Sequence, residues 1–355
     1  MEALKLSQTW PKPGILLPIV IIGAGGIVSD AHLPAYQRMG FPVAGIFDLD
    51  EKKAQAVAAR FGLPKAFESL EEAASQKDVI FDVAVPAAQI MQVLPALPDG
   101  SAVLIQKPMG RDLAEAKSIL ALCRKKGLKA AVNFQLRFAP NMMVVADLLK
   151  SGRLGSITDL ELRVVIDQPW QLWDFLRGIP RLEFLYHSIH YLDLIRSFLG
   201  EPLGVYARGV GHPQMPEYAD TRSSIILDYG NQLRCSLVMN HTHRQGAKYK
   251  ASQMMLEGTQ GAVVVSMGVN LAFPKGEADF LDLALENNPW ERIPLRGSWF
   301  NEAFEGPMSN LQRFVSGEDP QLVSPVEDAI KTMALVEACY LSSAQGGTPI
   351  PGSGD

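Results

Sequence analysis

Two hydrophobic rhythms divide this sequence. In the first third, short unbroken apolar runs alternate with stretches whose apolar positions recur every three or four residues. Ile19-Val20-Ile21-Ile22 is β-branched throughout and stops at Gly23, the pattern of a strand buried on both faces. Runs at 43–47, 79–85, 102–105 and 129–133 predict four more strands of this kind. Helical patterns at 29–39, 51–61 and 112–126 lie between them, the last two stopping at Gly62 and Gly127. Such strand–helix alternation with short links predicts a parallel sheet covered on both faces.

After about Phe134 the period falls to two. The segment 157–166 places Leu160, Leu162, Val164 and Ile166 on one face. Segments 223–229 and 232–239 alternate more loosely and are joined by Asp228-Tyr229-Gly230-Asn231, a hairpin signal. Segments 251–256 and 262–266 flank another turn at 257–261. These are antiparallel signals with one wet face. The chain therefore reads as α/β, with a parallel-sheet domain over 15–133 and an α+β domain with a mostly antiparallel sheet over 134–347.

Composition changes this picture little. The 355 residues are 47% apolar and 20% charged, enough to bury a sizeable core. The net charge is −5 with no basic tract, which argues against nucleic acid as a partner. The three cysteines are widely spaced and not in CxxC form, which excludes a disulfide scaffold and a cysteine zinc site. A reducing, cytoplasmic setting is expected. The apolar run at 14–28 is shorter than the ~20 residues that span a bilayer, and Pro18 and glycines interrupt it. No membrane association is expected, and the run has a better use as a buried strand entering a glycine loop.

That loop is Gly23-Ala24-Gly25-Gly26-Ile27-Val28, placed after a strand and opening a helix. The first glycine permits the tight turn. Gly25 lets the backbone approach a pyrophosphate, which the helix N-terminus stabilises. Val28 replaces the third glycine of GxGxxG, so the fingerprint is imperfect. Asp48 closes the second strand, where a carboxylate accepts the ribose hydroxyls of NAD and repels the 2′-phosphate of NADP. Asp50 reads as the cap of the next helix. The expected cofactor is NAD in preference to NADP.

Two further places carry candidate chemistry. Lys107 directly follows a buried strand, at the end of the sheet that lines the ligand crevice, where desolvation lowers a lysine pKa toward useful acid–base values. The segment 184–199 reads as a helix ending at Gly200, and at ~100° per residue Tyr186, His190 and Asp193 share one stripe with His187 beside it. Asp193 is thus expected to orient His190. His187, His190 and Asp193 are spaced by threes, and His241 and His243 share a strand face. Three-residue steps drift around a helix, and no HExxH or cysteine cluster is present, so no metal is expected.

The order of these motifs resembles the Gfo/Idh/MocA oxidoreductase family, which includes glucose–fructose oxidoreductase and inositol dehydrogenase. It is carried by GAGGIVSDAHLPAY, VAVP (83–86), QKP (106–108), VNFQLRFAP (132–140), HSIHYLDLIRSFLGEP (187–202) and the last helix, PVEDAIKTMALVEACYLSSAQG (325–346). The resemblance implies a Rossmann dinucleotide-binding domain followed by an open-faced, mostly antiparallel sheet, with substrate between them and a homodimer or homotetramer as the assembly. It implies that Lys107 and His190 act in catalysis. The family's Glu-Lys-Pro is here Gln106-Lys107-Pro108, and the aspartate four residues before its histidine is Tyr186. Tyr186 is the expected third catalytic group, its phenol pKa lowered by the nearby lysine. Glu183 offers an alternative carboxylate from the preceding loop. Val85, Pro86, Gln106 and Gln135 are expected beside the cofactor. Arg137, Trp170, Trp173 and His187 are expected, with Lys107 and His190, to meet the substrate. The implied activity is hydride transfer between NAD and a secondary alcohol of a sugar, sugar acid or cyclic polyol. An NAD-using glycoside lyase or hydrolase and a non-catalytic NAD-binding sensor are the rival readings.

Overall fold

The computed structural model describes residues 6–273, 275–286 and 288–351. Among them, five strands form a parallel sheet: β1 (Ile19–Ile22), β2 (Val43–Phe47), β3 (Ile80–Val83), β4 (Ala102–Gln106) and β5 (Lys129–Asn133), in the order β2-β1-β3-β4-β5. The helices between them are α1 (Leu33–Met39), α2 (Glu51–Phe61), α3 (Leu70–Ala74), α4 (Ile90–Val93) and α5 (Leu113–Lys125). β1, β3 and β4 are buried along their whole length, as their mostly apolar runs demand. The Asp50 carboxylate caps α2 by accepting from the Lys53 amide at 3.2 Å. The helix after the glycine loop winds as a π-helix over Val28–His32 before α1 begins.

The chain then crosses through α6 (Pro140–Lys150) to a second sheet. Its strands are β6 (Ile157–Val165), β7 (Gly204–Val210), β8 (Arg222–Asp228), β9 (Arg234–Asn240), β10 (Ala251–Gly258), β11 (Gly261–Ser266), β12 (Phe280–Leu285) and β13 (Glu291–Arg292). Their order is β13-β12-β11-β10-β6-β9-β8-β7, antiparallel everywhere except the β6–β9 pair. α7 (Ile189–Leu199) lies between β6 and β7 in sequence and packs into the same core as the inner sheet face. The other face is open and carries Tyr206, Ile226 and Val238.

Two late helices tie the layers together. α8 (Glu305–Val315) returns to the first sheet, where Met308 and Leu311 are buried with Ile19, Ile21 and Leu104. α9 (Val326–Gln345) runs beside β7, and the Ser342 and Ser343 hydroxyls accept from the Ala207 and Gly209 amides. Those bonds satisfy edge amides that would otherwise template another strand. Among the described residues no helix is long and apolar enough to cross a membrane.

Candidate active site

The C-terminal ends of β1 to β4 face α7 and the ends of the second sheet across a cleft of about 490 Å³. The glycine loop forms one end. Gly23 has φ +108°, and a Cβ there would lie 2.3 Å from the Ala84 carbonyl oxygen, so only glycine fits the turn. A Cβ on Gly25 would meet nothing within 4 Å, so its backbone stands open to the cleft. Gly26, Ile27 and Asp30 also line the wall, while Ala24 and Val28 are buried and serve the loop from beneath. Asp48 reaches the cleft, its Oδ2 accepting from the Ala24 amide at 2.7 Å and its Oδ1 from the Asp50 amide at 2.9 Å. Lys53, which the sequence pattern did not single out, lies on the same wall. An open glycine backbone at a helix start, beside a carboxylate held by two amides, fits the pyrophosphate and ribose of a dinucleotide.

Val85, Pro86, Gln106, Lys107 and Gln135 continue this wall toward α7. The Gln106 side chain is held from two sides. Its Oε1 accepts from the Lys107 amide at 2.9 Å, and its amide group lies 3.4 Å from His32 Nε2. Behind it, His32 Nδ1 meets Asp82 Oδ2 at 2.7 Å, which also accepts from the Tyr36 hydroxyl at 2.8 Å, and Asn133 reaches His32 Nε2 at 3.2 Å. Glutamine here adds no buried charge, and its amide, unlike a carboxylate, can offer a donor to the His32 ring.

Lys107 Nζ donates to the Tyr186 backbone carbonyl at 3.2 Å. Burial lowers its pKa to about 8. His190 lines the cleft, with Trp299 edge-on at 5.5 Å and its Nδ1 buried without a hydrogen-bond partner among the described residues. Burial, then the charge of Lys107, holds His190 well below the ordinary histidine range, so it is neutral at pH 7. Trp173, His187, His241, Asn270, Phe273 and Phe300 complete this end.

Several expectations are corrected here. Asp193 does not orient His190. It accepts from Arg137 at 2.7 and 2.6 Å and from the Thr332 hydroxyl at 2.8 Å, because a bidentate guanidinium pair outcompetes a neutral imidazole. Arg137 is not among the residues lining the cleft: Asp193 and Asp328 hold its guanidinium. Trp170 is buried behind His187, its ring 4.4 Å from Tyr218 and 5.4 Å from His187. Tyr186 lines the cleft, but Lys107 touches its carbonyl, not its hydroxyl. Burial, then Glu115, raises the phenol pKa instead of lowering it. The reason for the shifted stripe lies in the winding. Glu183–Ser188 is a π-helix, whose wider turn advances each residue through a smaller angle than the ~100° of an α-helix, and His187 lines the cleft beside Tyr186 and His190.

A cluster of donors was also missed. Glu183, His187 and His241 bring potential ligand atoms within 4.8 Å of one another, although no metal was expected. The signal available was the strand-end pair His241 and His243; of the two, His241 reaches the cleft.

The family described as the oxidoreductase family with an NAD-binding Rossmann fold, Gfo/Idh/MocA, matches residues 17–134, and the C-terminal domain of that family matches 142–264. D-apiose dehydrogenase of Paraburkholderia graminis is 24% identical, over 92% of this chain and 88% of its own length. The NADP-dependent D-xylose 1-dehydrogenase 2 of Haloferax volcanii is 29% identical, over 92% of this chain and 97% of its own. Among solved structures, an oxidoreductase from Agrobacterium radiobacter in complex with NAD+, L-tartaric acid and magnesium superposes with a TM-score of 0.78, at 20% identity, covering 94% of this chain and 98% of that one.

Proposed function

The chain belongs to the Gfo/Idh/MocA oxidoreductase family, and from that premise we propose an NAD-dependent dehydrogenase acting on a secondary alcohol of a sugar, sugar acid or cyclic polyol. The observation that carries this reading is one cleft in which a dinucleotide loop, a lysine of depressed pKa and a neutral histidine face each other. The sugar dehydrogenases among its relatives support the substrate class.

Gly23, Gly25, Gly26, Ile27 and Asp48 would hold NAD, which would supply the hydride acceptor. The protein's part is positioning and proton movement. Lys107, anchored on the Tyr186 carbonyl, accepts the hydroxyl proton through its neutral amine. His190 holds the same hydroxyl by a hydrogen bond from the opposite wall. Val85 and Pro86 would border the nicotinamide side, and Trp173, Phe273 and Phe300 would supply apolar surface that keeps water from the reacting centre. Purified protein mixed with NAD and a panel of sugars and inositols should raise absorbance at 340 nm. No turnover across the panel would leave a ligand-binding role instead.

We further propose NAD over NADP, cytoplasmic residence and self-association. Asp48 should favour NAD by about tenfold or more, roughly 1.4 kcal/mol, through repulsion of a 2′-phosphate. Titration of both cofactors checks this: Asp48→Ala should close the gap, and tighter NADP binding in the unmutated protein would refute the assignment. The open face of the second sheet exposes Tyr206, Val210, Ile226 and Val238, an apolar patch suited to a second copy of the chain. Light scattering should report a dimer or tetramer at micromolar concentration, and Ile226→Asp should shift it toward monomer.

A further inference from the structure

One loop of the cleft carries apolar side chains that the proposed proton transfer does not use. It winds as two single-turn 3-10 helices, Trp170–Leu172 and Asp174–Leu176. The loop is anchored from beneath. Trp170 and Leu176 are buried in a small core of their own with Leu182 and Tyr218. The Gly178 amide donates to the Glu217 carbonyl at 2.9 Å and closes the segment. These anchors occupy one side of the loop and leave the other to the cleft. Leu172 and Phe175 line it and remain 52% and 50% exposed. Trp173, between them in sequence, is half-buried and lines it too. Large apolar side chains held together in water at the edge of a cleft mark a binding surface.

Ring contacts join this loop to both proposed reacting residues. Phe175 meets Tyr186 edge-on with centroids 5.9 Å apart, and the Tyr186 carbonyl holds Lys107 Nζ. On the other side Trp173 meets Phe273 at 5.3 Å and Phe273 meets Phe300 at 5.7 Å. Phe300 meets Trp299 at 6.1 Å, and Trp299 stands edge-on to His190 at 5.5 Å. A sugar held between Lys107 and His190 would thus have aromatic surface continuous from its reacting hydroxyl to the loop. The charges argue the same way. Among the described residues no arginine lines the cleft, and its lysines are Lys53, on the glycine-loop wall, and Lys107. The loop's own charged group at the cleft is Asp174, which repels an anion. A phosphate or carboxylate substituent finds no guanidinium here, whereas a flat neutral ring finds aromatic faces and edges to pack on.

Resting on the dehydrogenase reading, we propose that Leu172, Trp173 and Phe175 form a subsite for an aryl group, so that the substrate is a neutral sugar or polyol carrying an aromatic aglycone. The sugar occupies the polar end beside Lys107 and His190, and the aglycone packs against the loop. An aromatic ring is favoured over an aliphatic one of equal size because ring pairs gain from offset or edge-on stacking beyond the area they bury.

The test uses NAD-loaded protein and paired methyl and phenyl glycosides of glucose, galactose and xylose. In calorimetric titration at least one phenyl glycoside should bind about tenfold or more tighter than its methyl partner, the scale of one aromatic pair with its buried area. The cyclohexyl glycoside of the same sugar should bind more weakly than the phenyl one. Phe175→Ser and Leu172→Ser should each narrow the phenyl-to-methyl ratio, and together bring it within about threefold. Both side chains are half-exposed, so these changes leave the core intact. Phenyl and methyl glycosides bound alike, no phenyl glycoside bound, cyclohexyl bound as tightly as phenyl, or a ratio that survives the double substitution would each overturn the proposal. So would a change of oligomeric state in Phe175→Ser by light scattering, because the ring would then face another copy of the chain. Tight phenyl-glycoside binding with no rise in absorbance at 340 nm would sink the dehydrogenase reading and leave the subsite standing. Turnover of free sugars with no phenyl preference would do the reverse.

Discussion

Replacing Lys107 with alanine is expected to lower kcat/KM by ~10²-fold or more, the loss that follows removal of a positioned general base. The half-buried side chain directly follows β4, anchored on the Tyr186 carbonyl and facing the cleft. Desolvation brings its pKa to about 8, so a useful fraction of the neutral amine exists near physiological pH. The sign of the pH dependence follows. Alcohol oxidation needs the neutral amine, so its kcat/KM should rise with pH and level off above about 8. Carbonyl reduction needs the ammonium and should fall through the same range. Lys107→Ala should abolish both limbs. Lys107→Arg should not rescue, because a guanidinium does not release its proton in this range. Steady-state kinetics in both directions across pH 6 to 10 make the check, and full activity in Lys107→Ala would remove the mechanism.

His190→Ala should cost a similar ~10²-fold in kcat/KM, with NAD affinity nearly unchanged because α7 belongs to the wall opposite the glycine loop. The histidine is neutral and lies between Lys107 and Trp299, so it hydrogen-bonds substrate without adding charge to the site. His190→Asn should recover part of the loss, since an amide can still hold a hydroxyl. Tyr186→Phe is the control: its carbonyl, which anchors Lys107, survives the change, and activity should stay within about threefold of the unmutated protein. A loss of ~10²-fold in Tyr186→Phe would return the phenol to the proton path. Equilibrium dialysis with NAD separates a binding defect from a catalytic one in each variant.

What the sequence determined alone is what local pattern dictates. The short, mostly apolar runs of β1 to β5 and the period-two segments of β6 and β8 to β11 specify strands because each residue's face is fixed by position along the chain. Gly23, Gly25 and Asp48 announce a dinucleotide loop because a tight turn, a close backbone approach and a ribose acceptor each demand one residue type. The strand-end lysine was legible for the same reason. What only the tertiary structure decided is how polar side chains chose among partners. Asp193 shares a helix with His190, yet Arg137 arrives from 56 positions away and takes the carboxylate, since a charge-assisted pair is stronger than a bond to neutral imidazole. His241 comes from the end of β9, 58 positions beyond Glu183, and no local spacing connects the two. The π-turn at Glu183–Ser188 broke the assumed helical phase. Periodicity reports which face a residue occupies; hydrogen bonds between distant segments depend on where the packed core brings those faces together, and that is a property of the fold as a whole.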